Sequence, residues 1–214
     1  MSTDTELSDL DLAALVSSRI CHDIISPVGA IANGLEVLDE DGDQDMRAHA
    51  MDLIRKSTAQ ASAKLQFARL AFGAAGSAGA EIDLTDAEKV ARAVAQSDKH
   101  NVEWDGPAAT VAKDKVKLLL NLVTLALAAL PRGGALKISI TGDSGAPSFE
   151  VQCRGEAARV PETFEKMLSG TAGLALDAHS VQPYYTLRMA KSAGMSLAAR
   201  VEEGGVVLTA SPVV

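Results

Sequence analysis

A helical periodicity sustained near the start of the chain limits what it can fold into. From about Leu10 to Leu38 the apolar residues keep helical spacing, and Ile20, Ile24, Val28, Ile31, Leu35 and Leu38 fall within roughly 40° of one line. This spacing predicts one long amphipathic helix, ended by the turn-forming segment Asp39-Glu40-Asp41-Gly42-Asp43. A second helix is predicted from about Gln44 to Phe72, with Met46, Ala50, Leu53, Ser57, Ala61 and Ala68 on its inner face and Lys64 interrupting that stripe.

Two helices of about 28 residues joined by a short turn form an antiparallel hairpin roughly 40 Å long. A hairpin alone buries too little apolar surface to hold itself together. The economical solution is a homodimer in which two hairpins build a four-helix bundle. In the alternative, the hairpin packs on its own downstream domain.

The stretch Gly73-Ala74-Ala75-Gly76-Ser77-Ala78-Gly79 has the composition of a flexible linker and predicts two domains, 1–76 and 77–214. Charge follows the same division: residues 1–72 hold 12 acids and 6 bases, residues 73–214 hold 16 and 14. Beyond the linker the pattern predicts helices at Thr85 to Ser97, Lys113 to Leu130 and Val181 to Ala193. Strands are expected at Asn101 to Trp104, Ala135 to Thr141 and Ser148 to Arg154, with two more between Ser196 and Thr209. With 3% aromatic residues and alanine the commonest residue, close-packed helices suit the chain better than an all-β fold. The expected class is α+β, a helical hairpin followed by an α/β layer.

A net charge of -8 repels phosphate backbones and anionic lipid, so neither nucleic acid nor a membrane is an expected partner. The longest apolar run, Val116 to Leu130, is broken by Lys117, Asn121 and Thr124 and is too short for a span. Cys21 and Cys153 form no ligand-spaced cluster and no basic-then-apolar signal segment opens the chain, so the cytoplasm is expected.

His22 lies about 160° from the apolar stripe and is expected to face solvent. Ser26, Gly29, Asn33 and Val37 share that outward face, and their modest side chains would let another protein approach closely. Cys21 and His22 cannot work as a thiol and base, because neighbouring helical residues diverge by about 100°. Neither an i+4 histidine nor a cysteine pair completes a metal site. What is left is nucleophilic catalysis by a neutral imidazole, available near pH 7 because histidine ionises around pH 6.5. Asp23 is close enough in sequence to orient or deprotonate the ring. Pro27 removes a backbone hydrogen bond from the helix and bends the surface beside the histidine.

The string His22-Asp23-Ile24-Ile25-Ser26-Pro27-Val28 resembles the phosphoacceptor box of sensor histidine kinases, where an acid follows the histidine and a proline stands at the fifth place. Three further segments extend the likeness: Ser18-Arg19-Ile20-Cys21, Gly34-Leu35-Glu36 and Leu65-Gln66-Phe67-Ala68-Arg69-Leu70-Ala71-Phe72-Gly73. With them, nearly the whole chain resembles the ChpT family of bacterial histidine phosphotransferases. The resemblance implies a dimerising phosphotransfer hairpin and a degenerate, kinase ATPase-like second domain. By offset, Gly29, Ala30, Asn33, Gly34 and Val37 match the receiver-docking positions of kinases, and Asp52 and Arg55 would complete that groove. Ile25 stands where kinases often carry a basic residue, and Ser26 where they carry a threonine or asparagine linked to phosphatase activity.

The nucleotide boxes are eroded. Asn121-Leu122-Val123-Thr124-Leu125-Ala126 resembles the asparagine box, but Leu125 replaces the magnesium-binding asparagine and Ala128 a usual lysine. Leucine cannot ligate a hard cation. Cys153 replaces the aspartate of the adenine box in Val151-Gln152-Cys153-Arg154-Gly155, and Gly170 to Leu176 keeps a trace of a glycine-rich lid. No cofactor is expected, with magnesium only on a partner receiver. The resemblance implies the receiver of a hybrid histidine kinase as donor. As acceptors it implies response regulators, one a DNA-binding regulator and one a single-domain receiver. An active ATP-dependent kinase and a silent receiver-binding scaffold are the alternatives.

Overall fold

The computed structural model describes residues 7–40, 43–73, 80–97, 99–170 and 176–213. Helix α1 (Asp9–Asp39) starts at Ser8, whose hydroxyl accepts the N–H of Asp11 at 3.1 Å. Helix α2 (Gln44–Ala71) starts at Asp43, whose carboxylate accepts the N–H of Met46 at 2.8 Å. Arg47 donates to the carbonyl of Leu38 at 2.8 Å, satisfying an orphan group at the end of α1. The acidic turn expected from the sequence thus supplies a helix cap, although its residues 41 and 42 lie outside the described residues.

The helices meet along small residues. A Cβ on Gly34 would lie 2.7 Å from Ile54 Cγ1 and 3.3 Å from the carbonyl oxygen of Ala50. Pro27 and Gly34, two turns apart, are the buried residues of α1, and they face Ala50, Ser57 and Ala61 of α2. This line runs roughly 60° around the helix from the apolar stripe read in the sequence. Within the single chain the apolar stripe is only partly covered: Ile20, Ile24, Ile31 and Leu38 are half-buried, while Val28 and Leu35 are each 50% exposed. On α2 the expected positions Ala50, Ser57 and Ala61 are buried, but Met46 and Leu53 are exposed.

The rest of the chain runs β1 (Glu81–Asp83), α3 (Leu84–Ser97), β2 (His100–Asp105), β3 (Thr110–Ala112), α4 (Lys113–Ala129), β4 (Gly134–Thr141), β5 (Ser148–Arg154), α5 (Glu162–Leu168), α6 (Val181–Ser192), β6 (Met195–Glu202) and β7 (Gly205–Pro212). Five strands form a mixed sheet in the order β2-β4-β5-β7-β6, parallel only between β2 and β4. Strands β1 and β3 make a separate antiparallel pair. Alternation along the central strands turns Leu136, Ile138, Phe149, Val151, Cys153, Val206 and Leu208 inward, into one apolar cluster with the nearly all-buried α4. Lys137 and Glu150 on the other face pair with Glu103 and Arg200.

The fold is therefore α+β, as expected, and the elements long enough to show a period fall within a few residues of their predicted bounds. The three short ones, β1, β3 and α5, were not foreseen. The predicted linker lies, but for Gly73, outside the described residues, as does the boundary between 1–76 and 77–214. The core runs across that boundary: Phe67 and Ala71 at the end of α2 belong to the same buried cluster as α4 and the sheet. No helix among the described residues is long and apolar enough to cross a membrane.

Candidate functional site

His22 is exposed on α1, five residues before the buried Pro27, because five helical steps carry it about 140° around the axis. The helix continues through Pro27, which lacks the N–H that would reach the carbonyl of Asp23. Against the His22 ring stands a second imidazole. The ring centroid of His179 is 4.7 Å away and the planes cross at 80°, an edge-to-face arrangement. Asp177 holds that loop by accepting the N–H groups of His179 and Ser180 at 2.9 and 2.7 Å and the Ser180 hydroxyl at 2.7 Å. The bonds from Ser180, its hydroxyl foremost, hold the Asp177 carboxyl below the usual carboxylate range.

No motif in the sequence marks His179, which stands in the segment just before α6. Residues 157 positions apart share no local pattern, so only the docking of α6 beside α1 reveals the pair.

Asp23 was expected beside the imidazole. The hydrogen bond its carboxylate makes goes instead to Arg19 Nε, at 3.0 Å and one turn back along α1. Arg19 Nη1 donates in turn to the carbonyl of His179 at 3.3 Å. Asp23, Arg19 and the His179 loop thus form one chain of contacts that returns to the His22 ring.

Of the other expected site residues, Ser26, Gly29 and Asn33 are exposed on the His22 side of α1, and Ala30 and Val37 are half-buried. Gly34 is a correction: it faces α2, seven residues and two turns from Pro27, and presents no surface to a partner. Asp52 and Arg55 are exposed. Gly34 lies level with Ala50 and Ile54, which puts Asp52 and Arg55 about 18 Å along the hairpin from His22, from roughly twelve residues at 1.5 Å each.

The positions resembling nucleotide boxes are filled from within. Asn121 is fully buried: its Nδ2 donates to the carbonyls of Ala71 at 3.2 Å and Lys117 at 2.8 Å, and its Oδ1 accepts from Gln182 Nε2 at 2.6 Å. It ties the end of α2 to α4 and α6. Leu125 and Cys153 lie in the core, and burial pushes the Cys153 thiol up to about 12. The predicted lid trace falls largely on residues 171–175, outside the described residues. A cleft of about 270 Å3 separates the hairpin from α3, α4 and α6, with Arg19, Asp23 and Lys64 on one wall and His100, Thr124 and Gln182 on the other.

The model of the histidine phosphotransferase C-terminal domain matches residues 84–205. The protein phosphotransferase ChpT of Brucella abortus (strain 2308) is 50% identical over 212 residues, covering 98% of this chain and 100% of that protein. The chain belongs to the ChpT family. A solved bacterial phosphotransferase superposes on it with a TM-score of 0.90 at 46% identity, over 97% of this chain and 99% of that one. Both the hairpin and the α/β portion therefore share the fold of that phosphotransferase, in keeping with a resemblance read over nearly the whole chain.

Proposed function

We propose that the protein is a histidine phosphotransferase of a two-component phosphorelay and that His22 carries the phosphoryl group between receiver aspartates. The observation that carries this reading is an exposed imidazole on a capped helix of a ChpT-family hairpin, followed by Asp23 and Pro27. A neutral ring nitrogen of His22 attacks the phosphorus of an aspartyl phosphate on the donor receiver. A P–N bond forms, the P–O bond to the aspartyl carbonyl carbon's oxygen breaks, and the carboxylate leaves. The ring N–H proton passes to solvent. The acceptor aspartate then attacks the phosphohistidine, and His22 regains its proton as it departs.

Positioning and charge neutralisation dominate phosphoryl transfer. The receivers would bring the magnesium and lysine that neutralise the phosphate, so the hairpin has to present the ring and leave room for approach. Exposed Ser26, Gly29 and Asn33 give that room, and Ala30, Val37, Asp52 and Arg55 extend the docking face. The donor in this reading is a hybrid-kinase receiver and the acceptors are response regulators.

ATP has no place in this reading, because Leu125 offers no oxygen to magnesium, Cys153 is buried in the core, and Asn121 spends its amide on Ala71, Lys117 and Gln182. The active unit is a homodimer. Ile25, Val28 and Leu35 of α1 and Met46, Leu53 and Leu65 of α2 are exposed apolar side chains on the hairpin, and a second hairpin would cover them in a four-helix bundle.

The test is to incubate the protein with a phosphorylated receiver and follow acid-labile, base-stable label. His22→Ala is expected to abolish labelling while lowering stability by no more than about 1.5 kcal/mol, since the exposed side chain gives up one edge-to-face ring contact. A folded His22→Ala protein that still accepts phosphate refutes the assignment.

A further inference from the structure

We propose that His179 is a positioning residue for phosphoryl transfer at His22, and that Asp23 and Arg19 act on His22 through it. The inference rests on the phosphotransfer reading above and adds to it a residue from the α/β portion.

An exposed histidine on a helix samples more than one χ1 rotamer, and its χ2 torsion is broad. In-line attack on phosphorus requires one nitrogen within about 3–3.5 Å of the reacting atom on the correct line. Every other orientation is unproductive. The edge-to-face contact at 4.7 Å places a wall beside the His22 ring and favours the rotamer that leans on it. An aromatic pair of this kind shifts a population on the order of threefold to tenfold.

The wall is itself held in place. The His179 N–H is tied to Asp177, its carbonyl accepts from Arg19, and Arg19 is fixed by Asp23. Two further ties join α1 and the residue just before its cap to α6, the helix that follows His179. The N–H of Leu7 donates to the Tyr184 hydroxyl at 3.2 Å, and Arg188 pairs with Asp9 at 3.4 Å. Adjacent helical residues diverge by about 100° and do not face each other, whereas the route through Arg19 and the His179 loop reaches the ring. The α/β portion has thereby a task in the reaction that needs no nucleotide: it supplies the surface against which the phosphoacceptor is set.

The experiment uses the full chain and a receiver domain phosphorylated on its aspartate. Transfer is followed in single turnover over a range of receiver concentrations, which separates the maximal rate from half-saturation. His22 ring resonances are recorded by NMR on the same variants. His179→Ala is expected to lower the maximal rate by roughly three- to tenfold, with half-saturation unchanged, and to move the His22 signals through loss of the neighbouring ring current. His179→Phe, which keeps an aromatic edge, should restore the rate to within about twofold of wild type. Asp23→Asn should slow transfer similarly, and the double variant Asp23→Asn/His179→Ala should be no slower than the slower single one, as expected for residues acting in one line.

A wild-type rate in His179→Ala overturns the proposal. So does a change confined to half-saturation, which would make His179 a docking residue, and so does failure of His179→Phe to restore the rate. Multiplicative losses in the double variant overturn the route through Asp23. Wild-type protein that takes up no label on His22 would overturn instead the phosphotransfer reading, and this inference with it.

Discussion

Asn121 offers the sharpest energetic test, because a residue at a position resembling a nucleotide box is here a buried fastener. In Asn121→Ala the carbonyl of Ala71, one of the last four of α2, loses its side-chain donor. Gln182, only 5% exposed, loses the 2.6 Å acceptor on Asn121 and is left with Thr186 at 3.5 Å. Lys117 is less affected, since its carbonyl also takes the regular backbone bond of α4. Two buried groups left unpaired at about 1–3 kcal/mol each give a loss of about 2–6 kcal/mol. The better helix propensity of alanine returns about 0.5 kcal/mol. A net loss near 3 kcal/mol corresponds, for a chain of this length, to a fall in Tm of about 6–12 °C. Scanning calorimetry beside the exposed control Asn101→Ala measures it, and the control is expected to stay within about 0.5 kcal/mol of wild type. A loss below about 1 kcal/mol for Asn121→Ala would refute the fastener, since a solvated, nucleotide-facing asparagine would leave nothing unpaired.

Titration calorimetry with ATP and magnesium is expected to show no saturable heat, and binding at one site per chain would favour the kinase alternative. Val28→Asp combined with Leu35→Asp is expected to give a monomer by light scattering, because each side chain is 50% exposed in the single chain and would be buried by a second hairpin; a dimer of unchanged mass would count against the bundle. Iodoacetamide near pH 8.5 should modify exposed Cys21 and spare Cys153, whose thiol burial raises to about 12. The unfolded thiol ionises near the ordinary 9.0, so the stability that the buried thiol contributes is present below pH 9 and is lost as pH rises toward 12; denaturant midpoints across that range check the sign.

Long periodic segments made most of the fold legible. A helix the length of α1 or α4 repeats its apolar spacing often enough to be read, and a strand such as Ser148–Arg154 declares itself by alternation. Three-residue strands such as Glu81–Asp83 and Thr110–Ala112 hold too few residues for any period. Their existence depends on a pairing between Ile82 and Val111 across 29 positions. At the site, His22, Asp23 and Pro27 were legible because they stand together in the chain and because helical geometry alone turns His22 away from the apolar stripe.

What the sequence determined by itself was whatever local backbone geometry dictates: the two long helices, the acidic turn between them, the outward histidine and the loss of oxygen at Leu125. What surrounds those residues was decided by tertiary structure. Gly34 belongs to the helix contact rather than to the docking face, because the close approach to Ala50 and Ile54 exists only once two helices are packed. Asn121 ties three helices together because Ala71 and Gln182, 50 positions before it and 61 after, arrive at its amide. His179 meets His22 for the same reason: a side chain's neighbours across space are chosen by how the layers dock, and a one-dimensional pattern carries no record of that choice.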